Sequence, residues 1–350
     1  MRRSAAGICL LAFVAAAGAP ADPAAAPRTP PALGVALNLE ATASPAERQE
    51  AVEAVRRTGA SFFVLTLSWS QAEPSPHQYV LDDLFRTARL LRQSGAMLQL
   101  DLPLVTESAR DVSADLADVA FDDSKLSLRL GRLLDALGPS LLDFQTMSLG
   151  DAADAYFAER PEELQAYRRL FDGAVGFLRK KDPHLLVGVA TLAPTESPAP
   201  EVAALLHQRS PLLLYIYCPF VRGKPFEQRP PEDLDRDWGQ LLKGSETRPI
   251  AFPVVSYSSS EENASSPARQ AEFIRRMRRF VSRADGRRLL FARYVALRDG
   301  KPEAAPGDAT GSLVRDAKRA AFMAFRGLET AAGDPKPAWI AWVKPAANGR

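Results

Sequence analysis

Short apolar runs alternate with longer amphipathic stretches along most of this chain. The first run is Leu33 to Leu39. Ser44-Pro45-Ala46-Glu47 then supplies an N-cap, a proline at the first helical position and a capping-box glutamate. Val52 and Val55 give that helix an apolar face, and Gly59 ends it. Ser61 to Leu67 is the second run. Leu81, Leu84, Phe85, Ala88 and Leu91 fall at helical spacing, Gly95 stops the helix, and Met97 to Leu102 is the third run.

The alternation continues. Helices around Leu126 to Leu137 and from Pro161 to Lys181 precede strands at Leu141 to Met147 and Leu185 to Ala190. Helices around Ala199 to Gln208 and Pro231 to Leu242 precede strands at Leu212 to Tyr217 and Ile250 to Val255. Ser266-Pro267 caps a helix bearing Phe273, Ile274, Met277 and Phe280. Leu289 to Val295 is the eighth run, and Asp316 to Leu328 the last helix. Repeated strand-plus-helix units suit parallel pairing with right-handed crossovers. Near-continuous apolar strands suit a sheet buried on both faces. The pattern predicts an α/β fold, a single (β/α)8 TIM barrel over residues 33–345. An open doubly wound sheet is the alternative, but its glycine-rich phosphate turn is absent.

The N-terminus reads as a targeting segment. Arg2 and Arg3 precede an apolar run from Ala5 to Ala17 that is too short to span a bilayer. Ala19-Pro20-Ala21 offers a cleavage site after Ala21. Residues 1–21 are therefore expected to be a signal peptide and 22–32 an Ala/Pro-rich spacer. The expectation is an exported protein, periplasmic or extracellular, with no membrane span after processing. Cys9 sits too early for a lipid anchor, and Ile8 stands before it where a small residue is needed. Loss of Cys9 leaves Cys218 alone, so stability must come from a large core rather than a disulfide.

Charge and composition remove several classes of function. The net charge of +2 gives no bulk pull toward nucleic acid or anionic membrane. The chain has only 3 His, and His77, His184 and His207 fall in separate segments, so no metal site or cofactor is expected. No P-loop, nucleotide fingerprint or hydrolase elbow occurs. Arg275, Arg276, Arg278 and Arg279 read as a solvated helix face, with partner binding the minority reading. Asn263-Ala264-Ser265 fits an N-glycosylation triplet, a pattern common by chance.

Barrel sites form at the C-terminal ends of strands. Here those ends carry Asn38 and Glu40, Trp69 and Glu73, Asp101 and Glu107, Asp151 and Asp154, Tyr217, Ser256 and Tyr257, and Tyr294 and Asp299. Aromatic faces and carboxylates in one mouth suit a sugar, which offers an apolar C–H face and a ring of hydroxyls. Buried plugs of the barrel mouth are the competing reading for the aromatics.

Several segments, in order, resemble the retaining glycoside-hydrolase barrels of the cellulase and galactanase superfamily. Leu65 to Pro76, with Trp69 and Glu73-Pro74, resembles the second-strand segment. Ser148-Leu149-Gly150-Asp151-Ala152 is similar to the fourth-strand Gly-Asn-Glu segment. Asp182 to Gly188 resembles the lead into strand five, and Ile250 to Ser260 the seventh-strand segment. Gly333 to Trp339 resembles the closing segment. The resemblance implies an acid/base at Ala152 and a nucleophile at Val254, and neither side chain ionises. Retaining hydrolysis needs two carboxyl groups about 5–5.5 Å apart. Asp151, one residue from the acid position, is the possible substitute, and Glu261 or Glu262 could reach back from the loop after strand seven.

Three readings follow. The first is a non-catalytic barrel that binds a carbohydrate or another cell-envelope ligand through Trp69, Glu73, Asp151, Tyr156, Tyr257 and Tyr294. The second is an active glycosidase using relocated carboxylates such as Asp151. The third is a structural or protein-interaction barrel. The sequence leaves the oligomeric state open.

Overall fold

The computed structural model describes residues 30–36, 53, 56–245, 247–300 and 313–344. The expected signal peptide, most of the expected spacer, Asn38, Glu40 and nearly all of the helix expected from Ser44 lie outside the described residues.

The expected (β/α)8 barrel is observed. Its wall begins with β1 (Ala32–Val35), β2 (Phe62–Thr66), β3 (Met97–Asp101) and β4 (Thr146–Ser148). The fifth strand breaks at Val189 into β5 (Leu186–Gly188) and β6 (Ala190–Leu192). β7 (Leu213–Tyr217) is the sixth strand of the wall. A small antiparallel hairpin, β8 (Phe220–Val221) and β9 (Lys224–Gln228), follows it. β10 (Ile250–Val255) and β11 (Leu289–Tyr294) complete the wall.

All wall ladders are parallel. One runs β2-β3-β4-β5 and the other β6-β7-β10-β11-β1. The fifth strand joins the two through its break. On the other side, the Ser61 N–H donates to the Leu33 carbonyl at 2.9 Å, linking β1 to β2. Gly34 permits that approach, because a Cβ there would lie 2.5 Å from the Phe62 carbonyl. Gly188 does the same beside the Leu212 carbonyl at 2.5 Å.

Alternation along each strand separates two cores. Phe62, Ala190, Leu214, Ile216, Ala251 and Phe291 fill the barrel interior, where Phe62 stacks on Phe291 at 3.7 Å. Their neighbours Phe63, Leu98, Leu100, Met147, Val187, Tyr215 and Phe252 face the helices. The outer layer includes Ser124–Ala136, Leu164–Lys181, Asp233–Gly244 and Pro267–Arg283. The last starts as its sequence predicts: the Ser266 hydroxyl accepts from the Arg269 N–H, and Pro267 opens the first turn.

Several boundaries differ from the sequence reading. The expected strand Leu141 to Met147 is shortened to Thr146–Ser148, because Gly138–Asp143 winds into a 3-10 helix around Pro139. The final long helix is Leu313–Ala324. The short elements Trp69–Ala72, Ala153–Glu159, Pro337–Val343 and the β8-β9 hairpin carry too few residues to show a period. Among the described residues, no helix is long and apolar enough to cross a membrane.

Candidate functional site

Strand register brings one row of polar side chains to the C-terminal mouth. Thr66 pairs with Asp101, and Asp101 with Ser148, across β2, β3 and β4. The Thr66 hydroxyl donates to Asp101 at 3.4 Å, and the Ser148 hydroxyl donates to the Gly150 carbonyl at 2.7 Å. Asp151 follows β4, its backbone N–H held by the Val105 carbonyl at 2.9 Å. Glu107 lies on the same loop as Val105 and is exposed. From the other side of the barrel, Arg293 on β11 donates through Nε to the Pro253 carbonyl at 2.7 Å.

These groups share one electrostatic neighbourhood. Asp101 retains some surface, yet its carboxyl lies among densely packed atoms. Burial and the nearby Asp151 push it up to about 8, against the pull of Arg293. Burial also raises Asp151; Arg293 opposes that rise and Glu107 adds to it. Burial lowers Arg293, offset in part by the two aspartates. One flank of the mouth is therefore a carboxyl pair answered by a buried guanidinium.

The rest of the mouth is apolar. Ala152, Leu192, Ile216, Cys218 and Val254 belong to the same interior cluster. Ala152 sits in the left-handed region at φ 49°, directly after Asp151. The Cys218 thiol is pushed up to about 12 by burial, with Arg326 opposing and Glu196, Asp151 and Glu107 reinforcing. Glu196, after β6, accepts from Arg229 at 2.6 Å and from Thr195 at 2.7 Å. Its other oxygen is buried without a hydrogen-bond partner, and burial pushes the carboxyl up to about 8.

The structure places the remaining sequence candidates elsewhere. Trp69 is fully buried and donates its indole N–H to Glu73 at 2.7 Å. Glu73 also accepts from Arg129 at 2.8 Å and from the His77 N–H at 2.6 Å. Tyr257 and Tyr294 are fully buried on the helix-facing side. Tyr257 donates to the Arg229 carbonyl and Tyr294 to the Tyr257 carbonyl, both at 2.8 Å. Tyr217 points the same way and donates to Asp237 at 2.9 Å. Tyr156 is 2% exposed and donates to Glu163 at 3.0 Å, apart from the aspartate pair. Asp154 accepts from the Leu192 N–H at 2.9 Å and from the Ser197 hydroxyl. Asp299 accepts from Lys336 at 2.9 Å. Ser256 is fully buried, and Glu261 and Glu262 are exposed.

Of the residues expected to contact ligand, Asp151 alone falls in the mouth cluster. It is joined there by Asp101 and Glu107 from the longer set of strand-end residues. Arg293 and Cys218 escaped the sequence reading. A signal for Arg293 existed: a lone cation at an inward position of the apolar run Leu289 to Val295. Among the described residues, no cluster of three or more metal-ligating side chains occurs.

No family model matches the chain, and no curated protein matches it. Solved structures do. A Glu-to-Ala variant of GH5_18 from Streptomyces cattleya, in complex with Manb1-4GlcNAc, matches at TM-score 0.68 and 14% identity over 91% of this chain and 81% of that one. A GH5_18 protein from Bifidobacterium longum matches at 0.66 and 12%, over 90% and 78%. A psychrophilic family 10 endo-beta-1,4-xylanase matches at 0.59 and 13%, over 90% and 96%. At these identities the likeness establishes the shared barrel fold.

Proposed function

We propose that this barrel holds a carbohydrate at its C-terminal mouth without cleaving it by a retaining mechanism, and that it does so as an exported protein. The observation that carries the reading is the apolar character of two positions. Ala152 and Val254 both pack into the interior cluster at the mouth, and they correspond by sequence resemblance to the acid/base and nucleophile. A methyl and an isopropyl group can neither protonate a leaving oxygen nor attack an anomeric carbon. Asp151, Asp101 and Arg293 remain to bind hydroxyls. A protonated Asp101 donates, the Asp151 carboxyl accepts, and a guanidinium presents several donors. The sugar ligands of the GH5_18 neighbours are consistent with a carbohydrate in this position.

Titration calorimetry against envelope and plant oligosaccharides tests the reading. At least one should bind, and Asp151→Asn should weaken it about tenfold, the loss of one charged hydrogen bond of ~1.5 kcal/mol. Absence of binding across the panel contradicts it.

One observation favours hydrolysis as the second reading: burial and the neighbouring Asp151 push Asp101 up to about 8, so a carboxyl that can stay protonated stands beside a second one. Both, however, come from neighbouring strands on the same flank, whereas glycoside hydrolysis works from carboxyls on opposite sides of the scissile bond. Turnover of aryl glycosides that disappears in Asp151→Asn would establish it.

A further inference from the structure

Strand register divides the mouth into two halves of opposite character. On one side, Thr66, Asp101 and Ser148 pair laterally across β2, β3 and β4. On the other, Leu192 pairs with Ile216, and Ile216 with Val254, across β6, β7 and β10. The first row carries hydroxyls and a carboxyl, and the second is wholly aliphatic. Arg293 closes the circuit between them. Val255 pairs with Tyr294, which sets Val254 beside Arg293, and Arg293 pairs with Gly34 on β1.

Both halves keep surface toward the mouth. Thr66 is exposed, and Asp101, Leu192, Cys218, Val254 and Arg293 are half-buried. Cys218 follows Ile216 on the same inward face, two residues nearer the opening, and packs into the same cluster. Tyr217 between them turns outward to Asp237. The apolar wall is therefore aliphatic, with one thiol above it. Among the described residues, Arg293 bonds through Nε alone, to the Pro253 carbonyl. Its terminal nitrogens are left to the mouth.

This division selects among sugars. An ordinary hexose carries hydroxyls all round its ring, so part of that set must meet the aliphatic row. A hydroxymethyl group there gives up its water and finds only a thiol, a weak partner. A methyl group in the same place has no hydrogen bond to lose and buries apolar surface. An acetamido group brings an amide N–H and a carbonyl to the wall, with the same defect as the hydroxyl. We propose that the sugar held at the mouth is a 6-deoxyhexose, its methyl group on Leu192, Ile216 and Val254 and its hydroxyls toward Asp101, Asp151 and Arg293; the inference rests on the carbohydrate reading above.

The full chain is titrated with methyl glycosides in matched pairs, 6-deoxygalactose with galactose and 6-deoxyglucose with glucose, and with N-acetylglucosamine. At least one 6-deoxy sugar should bind about 10- to 100-fold more tightly than its parent, the range for a hydroxyl left unpaired against an apolar wall. Val254→Thr keeps the side-chain shape and places a hydroxyl on the wall, so it should bring that ratio toward one. Asp151→Asn should weaken both members of a pair alike. If Val254→Thr fails to fold, Cys218→Ser carries the test from the layer above. Equal affinity within both pairs overturns the proposal and leaves the carbohydrate reading standing, whereas no binding in any arm overturns both. A ratio unchanged in the wall variants, or tighter binding of N-acetylglucosamine than of either 6-deoxy sugar, also overturns it.

Discussion

At the residue scale, the charged side chains divide into those that hold the fold and those that face the mouth. Glu73 belongs to the first group. It is fully enclosed and accepts from Trp69, Arg129 and the His77 N–H. Glu73→Gln should destabilise the protein by about 1–3 kcal/mol, because Arg129 loses its fully enclosed ionic partner and keeps only the partly exposed Asp115, with sugar affinity unchanged. Urea denaturation beside calorimetry separates the two effects. Asp101 belongs to the second group, and its signature is pH dependence. Its folded value of about 8 lies above its ordinary 3.8, so the folded chain binds the extra proton between those limits. Its stabilising contribution is full below the lower value and is lost as pH rises through the upper one. His207, lowered to about 4 by burial, acts oppositely, losing stability as pH falls below its ordinary 6.5. Asp101→Asn should therefore make stability climb more steeply with pH between about 4 and 8, by one proton's slope. An unchanged profile would show Asp101 to be ionised throughout. Spacing placed these carboxyls at strand ends but could not say which would be enclosed. Trp69 and Glu73 lie four residues apart across one helical turn, which turns them toward each other, and only packing reveals that.

Element-scale features were read most faithfully where periodicity is long. Pro267–Arg283 shows a capped start and a full apolar face in the sequence. The arginine run on it divides by contact. Arg275 pairs with Glu272, and Arg276 with Asp235 and Glu272. Arg278 donates to the Ala341, Trp342 and Lys344 carbonyls, capping the C-terminus of Pro337–Val343. Arg278→Ala should cost about 1–3 kcal/mol through three carbonyls left without their donor, whereas Arg275→Ala should be within about 0.5 kcal/mol of neutral. Thermal melts compare the two. Asn263 was unreadable for the opposite reason. Its triplet suggests glycosylation, yet its side-chain nitrogen is buried and donates to the Phe226 and Lys318 carbonyls at 2.9 and 2.8 Å. It ties the β8-β9 hairpin to Leu313–Ala324, a link between elements about 40 and 55 residues away that no local pattern encodes.

For the whole molecule, alternation of apolar strands and amphipathic helices was enough to reach the closed barrel, because that architecture repeats one local unit. Closure itself depends on details the pattern does not carry: a glycine at each tight strand contact and a fifth strand broken at Val189. The mouth was legible only in part. Asp151, Ala152 and Val254 could be placed from the resemblance, but Arg293 crosses from the far side of the barrel and is read only in three dimensions. On the function proposed above, the mouth binds sugar and lacks the means to cleave it. The most direct test incubates one bound oligosaccharide with the full chain, follows the heat of binding, and assays the same sample for new reducing ends. Saturable binding with no release of reducing ends is the predicted result. Reducing ends that appear with the wild-type chain and vanish with Asp151→Asn would contradict it.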